Sequence, residues 1–155
     1  MALKTTLHKQ YQTDHDKEES GVWVDFENGV AFRIRRFSSE ISMKARREAE
    51  KPHTARLRNG KISDEVAEQI AIEQLANGII ADWKGLYEPV LDENGKPKIG
   101  EDGKPLEKEI KFSKKAALEI LNDPELEEFR AELIRISIER DNFKADEDED
   151  SLGNS

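Results

Sequence analysis

Between residues 22 and 34 apolar and polar side chains alternate with the period of a β-strand, and the alternation breaks at Asn28-Gly29. A two-residue loop would set Val24 opposite Arg33 and Phe26 opposite Ala31. A three-residue loop, Glu27-Asn28-Gly29, instead pairs Phe26 with Val30, Val24 with Phe32 and Val22 with Ile34, gathering six apolar side chains on one face. The second register is the expected one, with Gly29 in the left-handed conformation of a bulged turn. The opposite face then carries Trp23, Asp25, Arg33 and Arg35, and Trp23 opposite Arg33 is placed for a cation–π pair.

Beyond the hairpin the period lengthens to that of a helix. Ser38 or Ser39 can cap a short basic helix over residues 40–51 that Pro52 ends; its apolar side chains are only Ile41, Met43, Ala45 and Ala49. Residues 52–61 read as a loop with a turn at Asn59-Gly60. Ser63 caps a longer helix that Gly85 closes, with Val66, Ile70, Ile72, Leu75, Ala76, Ile79, Ile80 and Trp83 forming a broad stripe. Gly78 interrupts that stripe at a cost of about 1 kcal/mol against alanine, which is consistent with a close backbone approach.

Residues 88–109 hold an imperfect duplication, Glu93-Asn94-Gly95-Lys96-Pro97 and Glu101-Asp102-Gly103-Lys104-Pro105. Each copy is a turn signal, so a surface loop or hairpin is expected. Ser113 caps a helix through Leu118, Ile120 and Leu121. Asp123 with Pro124 in the first turn starts the last helix, along which Leu126, Phe129, Leu133, Ile136 and Phe143 recur at alternating three and four spacings. Ile134 and Ile138 widen this stripe, and Arg140 takes its one polar slot. The pattern predicts an α+β fold: an N-terminal β-hairpin packed on the helix of residues 63–83, with the last helix covering the remainder. Residues 1–20 are expected as a flexible polar arm, 21–144 as one domain, and 145–155 as a disordered acidic tail.

Composition narrows the class. Hydrophobic residues make up 35% of the chain against 38% charged, which points to tail or exposed loop beside one small core. The absence of cysteine excludes disulfides, thiolate nucleophiles and cysteine metal sites. No window approaches the ~18 apolar residues of a membrane span, so a soluble intracellular protein is expected. The net charge of −9 is uneven: Asp146-Glu147-Asp148-Glu149-Asp150 is wholly acidic, while residues 33–58 hold nine Arg and Lys against three Glu. Charges so grouped act over about one Debye length, ~8–10 Å.

Catalytic signals are weak. His8, His15 and His53 lack the i, i+4 spacing that aims two imidazoles at a metal. The run Asp92-Glu93-Asn94-Gly95-Lys96 fails as a calcium loop, because Pro97 stands where the sixth-position glycine belongs and Lys96 would set a cation among the ligands. There is no phosphate-binding glycine loop and no nucleophile elbow. An enzyme is therefore not expected, nor a cofactor. The basic run could meet phosphates, with Trp23 or Phe37 stacking on bases, but the acidic tail would compete for the same patch. Apolar stripes in excess of one small core favour capture of a segment of another protein.

Three groups of residues carry a family resemblance. Trp23-Val24-Asp25-Phe26 with Val30-Ala31-Phe32-Arg33-Ile34-Arg35-Arg36 forms the first. Ile80-Ala81-Asp82-Trp83-Lys84-Gly85-Leu86, the Asp102-Gly103-Lys104-Pro105 turn and Ile110-Lys111-Phe112-Ser113-Lys114-Lys115-Ala116 form the second. Asp123-Pro124-Glu125-Leu126 and the closing Asn142-Phe143 form the third. In order and spacing they resemble the tail assembly chaperones of long-tailed bacteriophages and prophages, over residues 21–144. The duplicated Gly-Lys-Pro loop is longer than the usual single turn, and the N-terminal arm is extra.

The resemblance implies a non-enzymatic role in virion assembly: coating the helix-rich tape measure protein, keeping it soluble and helping to recruit tail tube subunits. It also implies action in the host cytoplasm, absence from the finished particle, and self-association in some form. In such families a programmed frameshift often extends the chaperone, and residues 146–155 would be the short product's end or the linker. Candidate partner contacts are Trp83, Leu86, Tyr87, Phe129, Leu133, Ile136 and Phe143, with Trp83 favoured as a core anchor. A nucleic-acid-binding regulator using residues 33–58 and a structural tail or neck protein are the alternatives.

Overall fold

The computed structural model describes residues 3–145. The chain opens with two short helices, α1 (Thr6–Tyr11) and α2 (His15–Ser20), where the sequence predicts a flexible arm. Local capping starts both. The Thr5 hydroxyl accepts from the Leu7 amide and the Asp14 carboxylate from the Lys17 amide, satisfying amides that a helix N-terminus leaves without intrahelical partners. What holds α2 to the body is polar and long-range. The Asp14 amide donates to the Phe143 carbonyl at 2.8 Å, Thr13 bridges to Lys144, and Arg36 pairs with Glu18 at 3.2 Å. The Arg35 Nε donates to the Glu19 carbonyl at 2.8 Å. Hydrophobic patterning carries no trace of such contacts, which is why the arm was not legible as structure.

Strands β1 (Val22–Asp25) and β2 (Ala31–Ile34) form the hairpin in the expected register, Val22 opposite Ile34 and Val24 opposite Phe32. The Phe26 amide donates to the Val30 carbonyl at 2.7 Å, and Glu27–Gly29 makes one tight turn. Both Asn28 (φ 60°) and Gly29 (φ 78°) are left-handed, the conformation that favours Asn and Gly. Arg33 stands opposite Trp23, but the cation over the indole is Lys84, its Nζ 4.5 Å from the ring centroid. The expected Trp23–Arg33 stack is thus replaced by a partner from a third strand.

That strand is the main departure from the sequence pattern. After α3 (Glu40–Glu50), a tight turn at Lys51–His53 and the short helix α4 (Thr54–Arg58), helix α5 runs only over Asp64–Gln74. A single wide turn, Leu75–Ile79, converts it to strand β3 (Ile80–Lys84), which pairs antiparallel with β2. The expected helix of residues 63–83 therefore ends nine residues early. The reason is tertiary: β2 has a second edge whose backbone groups need partners, and Ile79-Ile80-Ala81-Asp82-Trp83 supplies β-branched and aromatic side chains suited to a pleated surface. The stripe still buries, because Ile79 meets the core from the wide turn and Ile80 and Trp83 from the strand. Residues 52–61, expected as loop, hold α4, since Pro52 falls in a first turn where a missing amide is harmless.

The remainder follows expectation more closely, except that the last helix, expected to close at Asn142-Phe143, ends at Ile138 and a separate tight turn, Arg140–Phe143, carries Phe143. Strands β4 (Tyr87–Pro89) and β5 (Glu107–Glu109) make a separate two-stranded stem that carries both turn copies. Helix α6 (Lys114–Leu121) starts at the Ser113 cap, and the Asp123 carboxylate accepts from the Glu125 amide ahead of α7 (Glu127–Ile138). One cluster joins the layers, with Phe32 and Ile34 of the sheet against Leu75, Ile79, Leu121 and Leu133. Each such side chain contributes about 1.5–3 kcal/mol when fully buried. Helices and antiparallel sheets together make the fold α+β. Of the expected disordered tail, residues 145–155, all but Ala145 lie outside the described residues.

Candidate functional site

The hairpin's apolar face is longer than the core it covers, and its turn end opens on solvent. There Phe26, Phe32 and Phe129 form a triangle of edge-to-face rings with centroids 5.2–5.8 Å apart. Val30 flanks the triangle on the hairpin side, Ile120 of α6 and Leu126 before α7 on the helical side, and Leu86 closes it from the segment after β3. Together they line an open cleft of about 590 Å³, with the carboxylates of Asp25 and Glu27 at its rim. Such a cavity suits one or two bulky apolar side chains on a segment whose neighbours are neutral or basic.

Glycine shapes the cleft's edge. Gly85 adopts φ +81°, and a Cβ there would lie 2.2 Å from the Gly29 carbonyl oxygen. The hairpin turn and the exit of β3 can close together only with glycine at this place.

Of the seven sequence candidates, Leu86 and Phe129 line the cleft. Tyr87 is 57% exposed at the root of the β4–β5 stem. Trp83 is buried, its indole N–H donating to the Ile110 carbonyl at 2.7 Å and its ring 5.1 Å from Phe112. Leu133, Ile136 and Phe143 are buried as well, so a partner cannot touch them in this fold. Leu133 and Ile136 belong to the face of α7 that packs into the core, and Phe143 is buried in the tight turn after it. Phe26, Val30, Ile120 and Leu126 were missed. The register placing Phe26 opposite Val30 at the open end of the hairpin was the signal available for two of them.

The basic segment is partly spent on structure. Arg35 donates to the Glu19 and Gly78 carbonyls, and burial lowers its guanidinium from the usual value, with Arg33 adding and Glu19 opposing. Arg36, Arg46 and Lys51 pair with Glu18, Glu50 and Glu48. Arg130, outside that segment, is buried. It donates to the Leu121 and Asp123 carbonyls at 2.6 and 3.1 Å and pairs with Glu68, tying α5, α6 and α7 together. Among the described residues no helix is long and apolar enough to cross a membrane.

Fold and cleft define a small α+β domain with an aromatic-lined surface cavity. Residues 37–154 match the model of the family described as YdaY prophage protein, and the chain belongs to that family. It is thus a phage-related protein, and the match begins just after the hairpin. No curated protein and no solved structure matches the chain significantly.

Proposed function

We propose that this prophage protein is a non-enzymatic tail assembly chaperone that binds the tape measure protein in the host cytoplasm and keeps it soluble. The single observation that supports this most is the open aromatic cleft between the hairpin turn and the start of α7. A tape measure is long, helical and apolar, and a shallow cleft that accepts apolar side chains without reading their sequence suits such a client. Binding draws on apolar burial at about 25 cal/mol per Å² before ordering costs. Many copies along one client add avidity to a modest single-site affinity. Recruitment of tail tube subunits and absence from the mature virion belong to the same proposal.

Co-expression with the tape measure protein of the same genome tests it. The client is expected in the soluble fraction only with this chain present, in a complex that survives high salt. A client that stays insoluble, or never co-purifies, contradicts the proposal. A complex that dissociates steeply with salt would instead indicate ionic contacts rather than apolar burial.

A further inference from the structure

The three-stranded sheet has the order β1-β2-β3, so β1 and β3 are its edges. Two bonds fix the phase of its ladders. The Phe26 amide donates to the Val30 carbonyl, and on the far side of β2 the Arg35 amide donates to the Ile79 carbonyl, each at 2.7 Å. Hydrogen-bonded and open pairs alternate in an antiparallel ladder. Val22, Val24 and Phe26 therefore turn their amides and carbonyls to β2, and Trp23 and Asp25 turn theirs outward. The outer edge of β3 is covered locally: the Trp83 amide bonds to the Asp82 carboxylate at 2.8 Å, and the Trp83 indole to the Ile110 carbonyl. At β1 nothing plays that part. Among the described residues no group bonds to the outward amides or carbonyls of Trp23 and Asp25.

An open edge is a template for a further strand, and the side chains around it say which strand fits. Trp23 is 44% exposed on the outer face, with Arg33 opposite it and the Lys84 Nζ 4.5 Å from its ring centroid. Asp25 on the same face is exposed, and neither it nor Lys84 forms an ion pair among the described residues. On the inner face Val22, Val24 and Phe26 are only half-buried. An incoming strand should thus bring a carboxylate beside Trp23, a ring beside Asp25 and apolar side chains on the other face. β1 itself, turned end for end, is such a strand. We propose that two copies of this chain pair antiparallel through β1, about a two-fold axis at Val24. Trp23 of each copy then exchanges both backbone bonds with Asp25 of the other, which uses every outward group of these residues. Val24 meets Val24, Val22 meets Phe26 at the border of the cleft, and Asp25 comes beside the Trp23 ring and Lys84 of the second copy. Moving the axis to Trp23 would set Asp25 opposite Gly21, whose amide is already taken by the Lys17 carbonyl. The contact is self-complementary, as a two-fold dimer requires, and small, so the association is weak and concentration-dependent. It goes beyond the tape measure reading, since it needs no client.

Sedimentation velocity of the full chain from about 1 μM to about 1 mM is expected to show a monomer–dimer equilibrium. At physiological salt the repulsion between two chains of net charge −9 is screened beyond ~8 Å. Asp25→Lys sets a cation against Lys84 and should weaken the dimer at least about tenfold. Combining it with Lys84→Asp exchanges the charges and should restore the dimer. The chain has no cysteine, so Val24→Cys tests the register. An open antiparallel pair holds its Cα atoms about 4.5 Å apart, within reach of a disulfide, whereas Val22→Cys would lie about 13–14 Å from its copy. Oxidation should therefore cross-link Val24→Cys and not Val22→Cys. A chain that is monomeric throughout overturns the proposal and leaves the edge to an extended segment of another protein. A dimer unmoved by Asp25→Lys, or cross-linked equally at both positions or at neither, overturns it as well.

Discussion

Gly78 shows how much a single hydrogen can decide. It sits where α5 gives way to β3, and a Cβ there would lie 2.8 Å from both the Ser42 Cα and the Ala45 Cβ of α3. The neighbouring contact is polar and buried: the Gln74 amide donates to the Ser42 hydroxyl at 2.9 Å. Gly78→Ala is therefore expected to destabilise by about 1–3 kcal/mol through overpacking, despite alanine's better helix propensity. A lowered urea midpoint with an unchanged slope would agree, and an unchanged or raised midpoint would contradict the close approach. Trp83→Phe probes a different force. It keeps a ring against Phe32 and Phe112 but leaves the Ile110 carbonyl without its donor, a loss of about 1–3 kcal/mol. The same equilibrium unfolding measures it, and a neutral result would mean that the Ile110 carbonyl is satisfied in another way.

At the scale of elements, the hairpin was legible because two independent signals agreed. The alternating apolar residues and the Asn28-Gly29 turn chemistry both fixed one register. Strand β3 was illegible because Ile80 and Trp83 continue the helical spacing of Leu75 and Ile79 and yet bury equally well from a strand, and only the open edge of β2 chooses between them. The α2 contacts were illegible because they are hydrogen bonds from a polar segment. Hydrogen exchange separates the two descriptions. With β2 central in a three-stranded sheet, its amides should exchange only on global unfolding, while the short helix α4 exchanges by local fraying. Fast exchange in β2 would contradict the pairing with β3. Arg130 binds the helices to one another, and Arg130→Met removes donors from two carbonyls. A loss of about 2–3 kcal/mol is expected in urea unfolding. A smaller effect would show that the carbonyls find water instead.

For the whole molecule, the apolar side chains divide between core and surface in a way the sequence did not announce. Periodicity marked Phe129, Leu133, Ile136 and Phe143 alike, but only Phe129 lines the cleft while the other three are sealed inside. Periodicity reports the face of an element, not whether another layer covers it. The cleft exists because hairpin turn, β3 exit and the start of α7 converge there and, among the described residues, no further layer is laid over them. Its function is a claim about apolar capture, so it is tested at a rim residue that the core does not need. Leu126 lies half-buried in the turn before α7, and Leu126→Glu places a charge on the cleft wall. The decisive measurement is the soluble yield of tape measure protein co-expressed with the native chain or with Leu126→Glu, both checked as folded by circular dichroism. The variant is expected to lower that yield about tenfold, equivalent to about 1.4 kcal/mol of client binding. Equal yields with both chains would contradict capture of the client in this cleft.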